Sequence, residues 1–128
     1  MYYIGIDISK FKHDCAVIDD VGEVITPSWS FANDHEGFSQ LKVLLDSLGT
    51  ETRIGLESTG HYGMNLKLFL ESNNFSFMEF NPLLINRFVK SKSLRKTKSD
   101  SIDCMMIAHY LMTGRFKSYS CFCIKGIK

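Results

Sequence analysis

Apolar positions in the first part of the chain come in short β-favouring runs. Tyr2 to Ile8 and His13 to Ile18 form two of them, Asp19-Asp20-Val21-Gly22 supplies turn chemistry, and a third run follows around Glu23 to Thr26. The pattern predicts a three-stranded meander. The period then lengthens: Phe38, Leu41, Leu44, Leu45 and Leu48 recur at helical spacing, with Asn33 or Asp34 as cap and Gly49 as stop. Downstream, the same reasoning predicts a strand at Arg53 to Glu57 and a helix from about Tyr62 to Glu71 with Leu66, Phe69 and Leu70 on one face. A strand at Phe75 to Phe80 follows, then a helix opened by Asn81-Pro82 and carrying Leu84, Ile85, Phe88 and Val89. Beyond a polar, basic connector, the last helix is expected from Ser99 or Asp100 to about Met112. Its inward stripe would be Ile102, Met106, Ile107 and Tyr110, with Gly114 as stop.

Three antiparallel strands followed by alternating helices and strands predict an α/β domain with a mixed sheet flanked by helices, because strand-helix-strand units favour parallel neighbours. The ribonuclease H-like fold has this element order, and a different α/β arrangement of the same elements is the alternative. A chain of 128 residues is one domain's worth. The expected division is one α/β domain over residues 1–118 and a divergent or truncated tail over 119–128.

Composition excludes several classes. With 45% hydrophobic and 23% charged residues the chain is close to the globular average. Its apolar stretches are far shorter than the roughly 18 residues that span a bilayer, so no membrane partner is expected. Met1-Tyr2-Tyr3-Ile4-Gly5-Ile6-Asp7 has no basic region ahead of a long apolar one, so a cytoplasmic location is expected. Cys15, Cys104, Cys121 and Cys123 form no C-x-x-C pair and read as free thiols. The net charge of +1 hides a polarity: residues 1–79 hold five basic and twelve acidic residues, a net −7, whereas residues 80–128 hold ten basic and two acidic, a net +8. That asymmetry points to a polyanionic partner for the second part.

Four acids could carry chemistry. Asp7 lies among apolar residues near the end of the first strand, and a buried carboxylate needs a partner or a metal. Read alone, it is equally a solvated strand-end acid or a turn cap with Ser9 and Lys10. Glu57 ends a second apolar strand in Ile54-Gly55-Leu56-Glu57-Ser58-Thr59-Gly60, and read alone it could simply favour the next helix dipole. Because sites in open α/β sheets form at the carboxyl ends of strands, the two acids would meet if their strands were neighbours. Asp100 and Asp103, three apart at the expected start of the last helix, would project within roughly 60° of each other. They also fit plain helix capping after Thr97-Lys98-Ser99. Arg87, Lys90, Lys92, Arg95, Lys96 and Lys98 stand just before them as a candidate nucleic-acid-binding segment, with Phe88 as an aromatic neighbour. Four converging carboxylates would suit one or two Mg²⁺ or Mn²⁺ ions and phosphodiester chemistry.

These segments together resemble the amino-terminal domain of the DEDD-type insertion-sequence transposases, the family related to the Piv DNA invertase and associated with bridge-RNA guidance. Three anchors carry the resemblance: Gly5-Ile6-Asp7-Ile8-Ser9-Lys10; Gly55-Leu56-Glu57-Ser58-Thr59-Gly60-His61-Tyr62; and Asn81-Pro82-Leu83-Leu84 leading to Arg95-Lys96-Thr97-Lys98-Ser99-Asp100-Ser101-Ile102-Asp103. The resemblance implies a RuvC-like domain whose catalytic and metal-binding acids are Asp7, Glu57, Asp100 and Asp103. It also implies DNA as substrate, a guide RNA as a possible partner, and homo-oligomers of the full-length protein. In that family a carboxy-terminal domain supplies a serine nucleophile, so this chain is expected to be incomplete for recombination. Two other readings stand beside it. One is a catalytically inert remnant that binds nucleic acid or dimerises. The other is a fragment of an actin-like or sugar-kinase-like phosphotransferase, for which Asp19-Asp20-Val21-Gly22 is a poor phosphate loop because its acids would repel the ligand.

Overall fold

The structure, a computed structural model, describes residues 1–49, 51–57, 61–92, 103–114 and 121–125. Among these residues ten elements follow in order. They are β1 (Tyr2–Ile8), β2 (Lys12–Asp19), β3 (Val24–Ala32), α1 (His35–Leu48), β4 (Thr52–Glu57), α2 (Met64–Ser72), β5 (Phe77–Phe80), α3 (Pro82–Lys92), α4 (Cys104–Thr113) and β6 (Cys121–Lys125). The strands form one sheet in the order β3-β2-β1-β4-β5-β6. β1 to β3 are the antiparallel meander, β4 and β5 join in parallel, and β6 closes the sheet antiparallel to β5. This mixed α/β sheet with helices against it is the ribonuclease H-like arrangement expected from the element order. None of the described helices is long and apolar enough to cross a membrane.

Strand alternation divides the sheet into two faces. Ile4, Ile6 and Ile8 of β1, Ile54 and Leu56 of β4 and Phe77 of β5 point to one side, where Phe38, Leu41 and Leu45 of α1 and Leu66 and Leu70 of α2 cover them. On the other side Phe80 packs with Ile85 and Phe88 of α3 and with Met106, Ile107, Tyr110 and Leu111 of α4. β1 and β4 each present a glycine there, paired as Gly5 and Gly55. A Cβ at Gly5 would stand 2.1 Å from the Cys104 carbonyl oxygen and 2.5 Å from the Ala108 nitrogen. The missing side chain is what lets α4 lie on the sheet.

Several boundaries differ from expectation. β3 continues through Pro27 to Ala32, which an edge strand tolerates because its outer amides need no ladder partner. α2 begins at Met64 rather than Tyr62, behind a turn in which the Met64 amide donates to the His61 carbonyl. α4 begins at Cys104, capped by Asp103, whose carboxylate accepts the Met106 amide at 2.9 Å. Asp103 therefore stands before the first turn in extended conformation, and the helical three-residue relation to Asp100 is not what orients it. The expected start at Ser99 or Asp100 lies outside the described residues. Residues 121–125, expected in a divergent tail, form β6. Cys15 and Cys104 are buried free thiols, as their spacing implied.

Candidate active site

The parallel pairing of β1 with β4 aligns Gly5 with Gly55 and Ile6 with Leu56, so Asp7 and Glu57 lie side by side at the carboxyl ends of adjacent strands. Alternation puts both on the α4 face. Each is half-buried. Asp103, the α4 cap, reaches the same region because Gly5 lets the first turn of α4 settle over β1. Their mutual influence shows in their protonation. Burial, reinforced by the nearby carboxylates of Asp14 and Asp103, pushes the Asp7 pKa up to about 6. Burial and the charge on Asp7 push Glu57 up to about 7. Both shifts have the sign expected of acids gathered together away from water.

Asp14 is an acid that the sequence reading passed over. It pairs directly with Asp7 across the β1–β2 ladder and accepts a hydrogen bond from the Ser30 hydroxyl. The signal was present in the sequence: a hairpin turning at Lys10-Phe11 sets residue 7 opposite residue 14. Ser9 and Lys12 continue the same face toward the hairpin tip, with the Ser9 hydroxyl donating to the Lys12 carbonyl at 2.6 Å. On the opposite face His13 is fully buried, stacked on Phe38 and edge-on to Phe31. Its Nδ1 accepts the Ser9 amide at 3.3 Å, and burial lowers its pKa, so it is a neutral core imidazole.

The structure thus brings three of the four expected acids, Asp7, Glu57 and Asp103, to one end of the sheet, and Asp100 lies outside the described residues. Among the described residues no group of three histidine, cysteine or carboxylate side chains is close enough to hold a metal ion. The donor chemistry nonetheless fits a hard divalent cation, since it is all carboxylate and its crowding is the kind that a cation relieves. Of the basic segment, Arg87 and Lys90 are exposed on α3. The Lys92 side chain, Arg95, Lys96 and Lys98 lie outside what is described. Phe88 is not a stacking surface beside these cations. It is buried three residues from Ile85 and meets Tyr110 edge-on with ring centroids 5.5 Å apart. The turn after β2 has no free phosphate cradle, because the Asp19 carboxylate already accepts the amides of Val21 and Glu23 at 3.0 and 2.8 Å.

The fold and the acids at its strand ends define a ribonuclease H-like domain with an acidic centre between β1, β4 and α4. The family model of the IS110-type DEDD transposases, described as a transposase, matches residues 4–121, and the chain belongs to that family. Among curated relatives, the pilin gene-inverting protein of Moraxella bovis is 32% identical over 112 residues, covering 84% of this chain and 33% of that protein. Its counterpart from Moraxella lacunata matches equally, at 32% over 112 residues. The mini-circle putative transposase for IS117 from Streptomyces coelicolor is 28% identical over 115 residues, covering 87% of this chain and 27% of that protein. The matched stretch is thus about a third or less of each relative's length.

Proposed function

We propose that this chain is the metal-binding catalytic domain of a DNA transposase or recombinase, acting on DNA phosphodiesters together with a separate domain that carries a serine nucleophile. The observation that supports it most is the gathering of Asp7, Glu57 and Asp103 at one sheet end in a member of a transposase family. With Asp100, these side chains would hold Mg²⁺ or Mn²⁺. Such an ion, when bound, supplies charge neutralisation at a phosphodiester and activation of the attacking oxygen. The chain's own part is to fix the donors. The β1–β4 register holds Asp7 beside Glu57, the α4 cap holds Asp103, and Asp14 keeps negative charge around Asp7. Arg87 and Lys90, with Lys92, Arg95, Lys96 and Lys98, would bind the DNA backbone, giving affinity that falls steeply with salt.

The test is a calorimetric titration of the chain with Mn²⁺ and Mg²⁺ into the millimolar range, comparing wild type with Asp7→Asn and Asp103→Asn and using thermal melting as the folding control. Saturable binding lost in both folded variants is expected. Binding that survives both substitutions, or none in the wild type even with duplex DNA present, would overturn the metal-centre reading.

A further inference from the structure

The end of the sheet that carries the acids also carries, toward the α1 and α2 face, a second group of exposed side chains that the proposed chemistry does not use. β1 runs past Asp7 into Ser9, Lys10 and Phe11, and the chain after β4 leads past Glu57 to His61 and Tyr62, so both segments leave from the strand ends that hold the acids. They are tied together. The Asn33 side-chain nitrogen donates to the Lys10 carbonyl at 3.1 Å and to the Tyr62 carbonyl at 3.3 Å. Gly63 lies so close to Ile8 that a Cβ there would stand 2.7 Å from its Cδ1. At this junction Phe11 is 78% exposed, with the Lys10 ammonium 5.1 Å from its ring centroid. The rings of His61 and Tyr62 lie 4.7 Å apart, and Tyr62 is 39% exposed. Lys12, also exposed, lies on the face that carries Asp14.

Exposed rings interleaved with cations at the sheet end that carries the acids have the chemistry of a surface that holds an unstacked base, its ring on an aromatic face and its phosphates on lysines. A rigid protein partner would demand a larger apolar surface than one phenyl and one phenol. We propose that Phe11 and Tyr62, with Lys10 and Lys12, form a stacking platform for an unpaired nucleotide of the DNA strand whose phosphodiester lies at the acids. This rests on the DNA reading of the acidic centre. The platform fixes the strand by a base splayed from the duplex, and it is sequence-tolerant because every base has a π-face.

The test is fluorescence anisotropy of the chain at low salt with a labelled single-stranded DNA oligonucleotide, its duplex, and the RNA of the same sequence. Phe11→Ala and Tyr62→Ala are compared with Phe11→Trp and with Val43→Ala, an exposed apolar residue of α1. Melting curves establish that each variant is folded. The expected result is single-strand DNA binding weakened about 5-fold or more by each alanine variant, kept by Phe11→Trp and Val43→Ala, with duplex binding little changed. Single-strand binding unchanged in both alanine variants would overturn the platform and leave the DNA reading intact. No binding of either DNA form by the wild type would overturn both. Tighter binding of the RNA, lost with the same rings, would overturn DNA as the occupant.

Discussion

Gly5 faces Gly55 across the parallel β1–β4 ladder, and both lie beneath α4. The two glycines are not equivalent. What a Cβ at Gly5 meets is backbone, at 2.1 and 2.5 Å, whereas at Gly55 it meets side chains, the nearest a Phe80 ring carbon at 2.9 Å. Gly5→Ala is therefore expected to lift α4 and cost about 3 kcal/mol or more, because the opposing atoms cannot rotate away. Gly55→Ala should cost less, since Phe80, Leu111 and Ile107 can shift. Urea denaturation of the two variants measures the difference.

The crowded carboxylates give the domain an unusual pH dependence. In the unfolded chain Asp7 and Glu57 titrate near 4, whereas in the fold burial and neighbouring acids hold them up to about 6 and about 7. As pH rises between these limits the unfolded chain gives up protons that the folded chain keeps. Stability therefore falls across about pH 4 to 7 and levels off above. In a chelating buffer the melting temperature should be lower at about pH 8 than at about pH 5. Asp7→Asn should recover roughly 1 kcal/mol at the higher pH, a figure reduced for the half-exposure of the group. Added Mn²⁺ should raise the wild-type melting temperature and not that of the variant.

Asp103 has two separable duties. Its carboxylate caps α4 through the Met106 amide, and its charge reaches Asp7. Asp103→Ala should lose about 1 kcal/mol of stability with the cap, whereas Asp103→Asn caps equally well and should melt close to wild type. Both should lose divalent-cation affinity. Calorimetry and melting on this pair separate the helix cap from the site.

Lys67 of α2 and Glu79 of β5 form an ion pair at 3.0 Å, with side chains only 18% and 13% exposed. Removing one partner strands the other in a largely dry setting. Lys67→Met alone is expected to cost about 1 to 3 kcal/mol, and Glu79→Leu added to it should recover most of the loss. Thermal unfolding of the single and double variants checks this.

The fold was largely legible because apolar periodicity changed wherever the elements changed. β1 is found over the very residues predicted, and α1 keeps Asp34 as cap and Gly49 as stop. Pro27 concealed the length of β3, since a sequence does not announce which strand forms an edge. Ser99, Asp100 and Asp103 are all competent caps by residue type, so the sequence alone did not single out Asp103, which caps α4. Phe88 was read both as one of the apolar positions of its helix, which its burial beside Ile85 bears out, and as an aromatic neighbour of the basic segment, which that burial excludes. Asp7 and Glu57 were identifiable as acids ending apolar strands. Their proximity followed only once β1 and β4 were seen to be neighbours, and Asp14 required counting residues around the hairpin.

The sheet keeps apart two apolar clusters, the larger against α1 and α2 and the smaller against α3 and α4. Asp7 and Glu57 belong to the sheet, but Asp103 travels with the smaller cluster. Amide protons of α4 can therefore exchange by a partial opening that leaves the strands and the other two helices intact. A ligand bridging Asp103 to the strand acids would act as a clasp across that opening, slowing exchange along α4 far more than along α1. The domain's local cooperativity would then be set by what its acids hold.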